Sequence, residues 1–579
     1  MTIVNDMTFQ IAGAAGQGVE SSGAGFAEAL AKGGLHLFGL QDYMSRIRGG
    51  LNFFQIRVHE RPLYAHQEAV HLLLPLNEEA LEGCRAQVVK GGGIIYDENL
   101  KVDRRILAGQ GYTPMPVPLV EIAREHGERV MANTAALGAA AGVVEYSYER
   151  LADVIRQNFR RKGGEVVAAN LRVARAAYLY ARERYAADFE WKLAEVPGAP
   201  RRMVLSGNQA FALGAVAGGC RFIAAYPMTP ATSIIEWMAR HEQQLGLVTK
   251  HAEDEIAAIC MAIGANFAGV RAMAATSGGG FSLMVEALGL AGMCEVPLVL
   301  FEAQRGGPST GLPTRTEQSD LLFVLHASQG EFPRLVLAPG TVEECFECGW
   351  RAFNLAEKYQ TPVIVLSDQL LASSLRTIEV EALDFDRVVI DRGKLLGQEE
   401  LDALTGPYKR HLLTDDGLSP RAVPGHPKAV YATASDEHDE LGRISEEMNN
   451  RRKMVQKRMK KLETARQEIA PPTCYGPAEA AVVLVGWGST YGVLREAVDR
   501  LNGQARLVHF RDLWPFPAQA AAEALRGGRL LVVENNYTGQ FRRLLQSETC
   551  LQVDHTLSRY DGRPFSVDDI LTRVQELGV

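Results

Sequence analysis

Three carboxylates, Glu253, Asp254 and Glu255, open the alanine-rich run HAEDEIAAICMAIGANFAG. Acidic groups in a first helical turn are favoured by the helix dipole, and that structural role accounts for each taken singly. Arg305 follows the apolar strand pattern VPLVLFEAQ. A guanidinium there is costly unless paired, and its planar fork suits bidentate capture of a carboxylate. A structural ion pair with a neighbouring Glu is the alternative. In AAYPMTPAT, residues 224–232, Pro227 and Pro230 flank Met228 and Thr229. Two prolines stiffen a turn, and the turn either closes a strand or holds the Thr229 hydroxyl against a ligand. GAAGQG, residues 13–18, lacks the order of a G-x-G-x-x-G and reads better as a tight strand-to-helix turn whose free N–H groups suit an anion. SRIRGG, residues 45–50, sets Arg46 and Arg48 beside paired glycines, the composition of an exposed functional loop or an interface. Cys345 and Cys348 form a single C-x-x-C, two ligands where a zinc or iron–sulfur site usually needs four, so they read as small helix residues.

These groups need elements to position them, and the chain divides into four parts. Residues 1–195 alternate strand patterns such as MTFQIAG, NFFQIRV, AVHLLLPL and GGIIYDE with alanine-rich helices, predicting a parallel α/β sheet. EVPGAPRR at 195–202 is the best linker in the chain. Residues 203–392 alternate strand and helix very regularly, with Thr/Ser- and Gly-rich turns where strands end; open parallel sheets bind ligands at those carboxyl ends. Residues 393–470 begin irregularly and continue as the charged run SEEMNNRRKMVQKRMKKLETARQE, predicted to be a solvated connecting helix because acidic residues are interspersed. Residues 475–579 read as a compact βαβ-type domain, with Glu534 and Asn535 at a strand end where capping is the expected role.

Composition narrows the function classes. With 579 residues, 47% hydrophobic and 22% charged, the chain has the make-up of a multidomain globular protein. A formal net charge of −8 gives no electrostatic footprint for nucleic acid or an anionic membrane. No apolar run reaches the length of a spanning helix, and MTIVNDMTFQIAGAAG lacks the layout of a signal peptide. Eight cysteines fit a reducing compartment, so a cytoplasmic location is expected.

Seven runs, in order, resemble the thiamine-diphosphate-dependent 2-oxoacid:ferredoxin oxidoreductases. They are GAAGQG with SRIRGG, YPMTPAT (226–232), TSGGGFSLM (276–284), QRGGPSTGLPTRTEQSD (304–320), GLSPRAVPG (417–425), LWPFP, and VVENNYTGQ (532–540). GAAGQG with SRIRGG is similar to the family's separate gamma subunit, and the rest to its alpha subunit, so the order implies a gamma-like domain fused in front of an alpha subunit, commonest in 2-oxoglutarate-using members. The implied architecture is multidomain α/β: a gamma-like domain over 1–195, a pyrimidine-type thiamine diphosphate domain with a parallel sheet over 203–392, the connector 393–470, and a transketolase C-terminal-like domain over 475–579. Gly279 stands where many relatives have proline, and Met228 and Ala231 where Ile and Ser are frequent.

The resemblance also implies roles. Thiamine diphosphate attacks a 2-oxo carbon and stores the electrons left when CO2 departs, helped by a carboxyl group on the N1′ atom of its aminopyrimidine. The family's glutamate precedes an alanine by ten positions, a register met by Glu255 and Ala265; Glu255 is thus the implied N1′ partner. Arg305 is implied to grip the substrate carboxylate, with Thr314 adding a hydroxyl donor. Thr229 would contact substrate or cofactor, with Tyr226 and Pro227 on the cofactor side. Arg46 and Arg48 would face coenzyme A phosphates or another subunit. No Gly-Asp-Gly occurs in the chain, so the diphosphate, its Mg²⁺ and the [4Fe-4S] cluster are expected on a beta subunit, with no metal held here. The implied activity is coenzyme A-dependent oxidative decarboxylation of 2-oxoglutarate to succinyl-CoA and CO2, or its reductive reverse as in a reductive TCA cycle. Electrons would pass to ferredoxin, within an (alpha-beta)2 heterotetramer. Pyruvate, branched-chain and aryl 2-oxoacids remain alternative substrates. A non-catalytic assembly scaffold is the competing class, which would need neither Glu255 nor Arg305.

Overall fold

The computed structural model describes residues 2–45 and 49–578, in two compact units. The first comprises 1–206 and 373–382. Its eight-stranded sheet has the order Thr113–Val117, Val88–Asp97, Val70–Pro75, Met7–Ala15, Gly49–His59, His36–Asp42, Leu375–Glu379, Arg202–Ser206. The first four strands are parallel, as expected of alternating elements, but from Met7–Ala15 onward every pairing is antiparallel. The physical reason is connection length: the short link between His36–Asp42 and Gly49–His59 permits a hairpin, whereas a parallel return needs a long crossover. The expected division at 195–202 is therefore not where this unit closes. Strand Arg202–Ser206 and the later strand Leu375–Glu379 pair with each other and complete its sheet. Alanine- and glycine-rich helices 132–143 and 164–185 cover one face, touching so closely that a Cβ on Gly138 would stand 2.2 Å from the Ala174 carbonyl oxygen.

The second unit comprises 207–372 and 383–579. Its larger sheet runs Val248–His251, Phe222–Ala225, Ala272–Thr276, Leu298–Gln304, Pro362–Asp368, Leu335–Leu337, all parallel, and ends with Asp512–Trp514 antiparallel. The LWPFP turn belongs to that last strand. A five-stranded sheet, Thr473–Tyr475, Ala505–Phe510, Val482–Trp487, Arg529–Glu534, His555–Ser558, builds the carboxyl-terminal part. Side chains of both sheets meet in one apolar core containing Ala274, Leu300, Ile364, Val485, Trp487 and Phe541. The small-residue helix Gly207–Ala217 is explained by packing: a Cβ on Gly214 would stand 2.0 Å from the Phe346 carbonyl oxygen of helix Val342–Tyr359. Cys345 and Cys348 lie buried on that second helix as free thiols, pushed well above the ordinary thiol range by burial.

The charged helix Met448–Ala465 departs from its expected solvated role. Lys457, Arg458 and Lys461 are buried. Both Lys457 and Lys461 pair with the buried Glu295, the former at 2.6 Å, and Arg458 pairs with Glu437 at 2.8 Å. Burial alone would raise the Glu295 carboxyl, but Lys457, Lys461 and His411 hold it well below the usual range. One basic face thus neutralises Glu295, just past helix Gly278–Met293, and Glu437 from the irregular segment, a long-range pairing that composition does not reveal. GLSPRAVPG is structural in the same way: Arg421 shares the Glu357 carboxylate with Arg271 and Arg392.

Candidate active site at the strand ends of the second unit

The parallel order puts the carboxyl ends of four neighbouring strands side by side, and each carries a run singled out by sequence. Val248–His251 leads to Glu255, Phe222–Ala225 to the YPMTP turn, Ala272–Thr276 to TSGGG, and Leu298–Gln304 to Arg305. Such strand ends are where open α/β sheets place ligands.

The three carboxylates before helix Glu255–Phe267 separate cleanly. Asp254 is the N-cap, accepting from the Ala257 amide at 2.7 Å, and it is exposed like Glu253. Glu255 turns inward, 4% exposed, and its buried Oε1 has no hydrogen-bond partner. A buried carboxylate oxygen left unpaired is costly and marks where a donor would bind. Gly280 lies against it: a Cβ there would stand 2.7 Å from Glu255 Oε1 and 2.0 Å from Thr276 Oγ1. The neighbouring Gly279 is open, its nearest atoms being Ser309 O at 3.8 Å and Met228 Sδ at 4.0 Å. Met228 in turn meets Thr276 Oγ1 at 4.0 Å, so YPMTP, TSGGG and Glu255 converge.

Arg305 Nη1 donates to the Thr229 carbonyl at 2.7 Å, joining the two strand ends. Its partner is a backbone oxygen and not the glutamate that a structural ion pair would require. Asn208 steadies the same turn, donating to Pro230 O at 2.9 Å and Ser233 Oγ at 2.8 Å, and the Thr229–Pro230 peptide is cis. Tyr226 is exposed, its ring centroid 6.3 Å from that of His251. After Arg305 the chain loops out and returns, closed by Gly306 N to Arg315 O at 3.2 Å and Leu312 N to Gly306 O at 2.8 Å; Thr314 is buried in the returning arm.

Sequence reasoning missed a carboxyl cluster behind Arg305. Glu302, buried in the apolar strand, has both carboxyl oxygens without a donor. Its pKa is pushed far up by burial and by Asp320 and Asp368. Asp320 is raised to about 6, chiefly by burial and then by Glu317. The available signal was a single acid inside VPLVLFEAQ. The VVENNYTGQ run supports this region: Gln318 exchanges backbone and side-chain bonds with Asn535 and Trp487, and Asn536 donates to its carbonyl at 3.0 Å. Glu534 caps helix Gln540–Thr549, accepting from the amides of Phe541 and Arg542, as expected of a strand-end acid.

In the first unit, GAAGQG forms a turn in which Gly16 and Gly18 adopt φ of 86° and 73°, a region that favours glycine. Gly18 precedes helix Val19–Lys32. A cavity of about 460 Å³ beside it is lined by Gly16, Gln17, Gly18, Asp97, Arg129 and Asn133 among others. Arg46 and Arg48 lie outside the described residues.

Comparison with known proteins shows the family. Residues 213–457 match the family described as "Pyruvate flavodoxin/ferredoxin oxidoreductase, thiamine diP-bdg", and residues 8–180 match "Pyruvate ferredoxin/flavodoxin oxidoreductase". The 2-oxoacid:ferredoxin oxidoreductase subunit alpha of a Sulfolobus species is 35% identical, covering 97% of this chain and 96% of the relative. This chain belongs to the 2-oxoacid:ferredoxin oxidoreductase alpha subunits. It is also similar to the 2-oxoglutarate oxidoreductase subunit KorA of Mycobacterium tuberculosis, at 31% identity over 98% of this chain and 91% of that one. A solved 2-oxoglutarate:ferredoxin oxidoreductase from Magnetococcus marinus, described with 2-oxoglutarate, coenzyme A and succinyl-CoA bound, superposes with TM-score 0.90 at 34% identity, covering 99% of each chain. The chain is thus an oxidoreductase subunit with a thiamine-diphosphate-binding domain and acts as part of a multi-subunit enzyme. Among the described residues, no helix is long and apolar enough to cross a membrane.

Proposed function

We propose that this alpha subunit, with a beta subunit, catalyses coenzyme A-dependent oxidative decarboxylation of 2-oxoglutarate to succinyl-CoA and CO2, or the reverse carboxylation, in the cytoplasm. The observation that carries the reading is the orphaned Glu255 Oε1 beside Gly280, on the same edge of strand ends as Arg305. Bound thiamine diphosphate supplies the nucleophile for the 2-oxo carbon and the electron sink after CO2 leaves. Glu255 fits the pyrimidine: it is the one inward carboxyl of its trio, and it holds or releases a proton at N1′. Tyr226 and Pro227 flank that side of the site.

Arg305 orients the substrate by its carboxylate, using guanidinium N–H groups beyond the one committed to Thr229. Thr229 is held at the junction by that bond and by the Asn208 contact to Pro230, and Thr314 contributes a hydroxyl from the loop. The likeness to the 2-oxoglutarate oxidoreductase KorA and to the Magnetococcus 2-oxoglutarate:ferredoxin oxidoreductase favours 2-oxoglutarate over pyruvate, branched-chain or aryl 2-oxoacids. The diphosphate, Mg²⁺ and [4Fe-4S] cluster belong to the beta subunit in this reading, which passes electrons to ferredoxin within an (alpha-beta)2 assembly. Arg46 and Arg48 serve coenzyme A or a subunit contact.

The test is steady-state turnover of the co-expressed complex on 2-oxoglutarate and pyruvate, with Glu255→Ala alongside. Higher kcat/KM on 2-oxoglutarate, and loss of turnover in an assembled Glu255→Ala complex, are expected. Near-normal turnover of that variant would remove the Glu255 assignment, and preference for pyruvate would change the substrate.

A further inference from the structure

Glu302 occupies a position where an ionised carboxylate has nothing to hold it. It is 1% exposed, and neither carboxyl oxygen meets a donor. The charged groups facing it are Asp320 from the loop 313–320, Asp368 from the adjacent strand Pro362–Asp368, and Arg305 from its own strand end. Asp320 in turn faces Glu317, Glu302 and Arg305. Asp368 is already committed, accepting from the Leu371 amide at 3.1 Å and lying 3.5 Å from Thr316 Oγ1. Two carboxyls, Glu302 and Asp320, thus face the one guanidinium of Arg305, with Asp368 beside Glu302 and Glu317 beside Asp320, and like charges in a dry site do not all ionise.

Asp320 is also fitted to the site rather than merely near it. Its amide donates to Gln304 Oε1 at 3.0 Å. Its carboxyl fills the hollow left by Gly278, where a Cβ would stand 2.4 Å from Oδ2. Glu302 is the strand partner of Thr276 in register, so the two acids lie along the seam between the TSGGG turn and Arg305.

We propose that Glu302 and Asp320 share a single proton, Glu302 O–H donating to the Asp320 carboxylate, and act as a positioning pair that presents one negative charge, not two, behind Arg305. One charge orients the guanidinium while leaving it net attractive to the carboxylate of a 2-oxoacid; two would compete with the substrate. Neither acid touches substrate in this scheme. The inference rests on the reading of Arg305 as the carboxylate clamp. As pH rises and Glu302 loses its proton, a second charge appears, so KM for the 2-oxoacid rises while kcat changes less.

The experiment uses the co-expressed complex, with kcat and KM for the 2-oxoacid measured against pH for wild type, E302A, E302Q and D320N. The amide of E302Q donates to Asp320 as the acid does and cannot ionise. E302A is expected to lose about tenfold or more in kcat/KM by leaving Asp320 unpaired. E302Q is expected to restore most of that loss and to lack the alkaline rise in KM. D320N, which also keeps at most one charge, lacks that rise as well. An alkaline rise in KM unchanged in E302Q overturns the proposal. Infrared difference spectra of the full chain give a readout independent of turnover: wild type minus E302Q at neutral pH shows a carboxylic C=O band from Glu302 above the one that buried Glu344, raised to about 7, contributes to both chains. Absence of that difference band with a folded E302Q chain overturns the shared proton. Failure of the clamp reading is distinguishable, because it appears as an unchanged KM in Arg305→Lys while the infrared band stays.

Discussion

Helix Gly278–Met293 starts with three glycines, and substituting two of them separates site geometry from stability. At Gly279 a Cβ meets only ordinary contacts at 3.8 and 4.0 Å, so alanine gains helix propensity of about 0.5–1 kcal/mol without hindrance. At Gly280 the same methyl stands 2.0 Å from Thr276 Oγ1, 2.7 Å from Glu255 Oε1 and 2.8 Å from Glu255 Cγ. Non-bonded heavy atoms settle at about 3.5–4.0 Å, so Thr276 must rotate and the buried Glu255 carboxyl must move by several tenths of an ångström to about 1 Å. Overpacking of this kind costs about 1–3 kcal/mol. The same propensity gain of about 0.5–1 kcal/mol offsets part of it, leaving a drop in stability of roughly 0–2.5 kcal/mol. A displacement near 1 Å at a catalytic group costs about 100-fold in rate. The expected outcome is that Gly280→Ala loses about two orders of magnitude in kcat, with a urea midpoint lowered by the equivalent of no more than about 2.5 kcal/mol. Gly279→Ala keeps activity and gains slightly in stability. Acceptor reduction by the assembled complex reads the first quantity, and urea titration of the chain reads the second. Equal activity in the two variants would refute the placement of Glu255 against Gly280.

Gly214→Ala should act on stability alone: its Cβ would stand 2.0 Å from the Phe346 carbonyl oxygen and 2.8 Å from the carbonyl carbon. Backbone lies on both sides, so the helices must part, and the urea midpoint should fall by the equivalent of about 1–3 kcal/mol or more with KM unchanged. His509 predicts an acid-side weakness. It is wholly buried, its Nε2–H donates to the Gly488 carbonyl at 3.3 Å, and burial drives its pKa down to about 3. Between 6.5 and about 3 the unfolded chain binds a proton that the folded chain refuses, so stability declines as pH falls through that window, by a few kcal/mol at most. Urea midpoints measured from pH 7 to 4 should fall less steeply in His509→Gln, and an equal slope would remove His509 as the cause.

How much of this was legible in the sequence varies residue by residue. The alternating elements of 203–392 and their glycine-rich strand ends are local patterns, and the structure keeps them. Arg305 and the YPMTP turn stood out because a charge at the end of an apolar strand and two prolines around a threonine are locally expensive. The trio Glu253, Asp254 and Glu255 was ambiguous, since capping and burial differ by the direction of one Cα–Cβ bond, which only helix docking decides. The charged helix 448–465 was misjudged because the acids it neutralises, Glu295 and Glu437, come from other segments.

The sequence by itself determined the periodicities, the turn chemistry, the motifs that place the chain in its family and the short list of reactive groups. Tertiary structure alone decided strand order, and with it which groups are neighbours. His251 and Ala225 end adjacent strands, as do Thr276 and Gln304, although many residues separate each pair along the chain. It also decided that strand Leu375–Glu379 completes the sheet of the first unit, that Glu255 and not Asp254 faces inward, and that Glu302 and Asp320 share a dry seam. Burial and long-range charge pairing depend on what lies across the fold, and no local window of sequence contains that information.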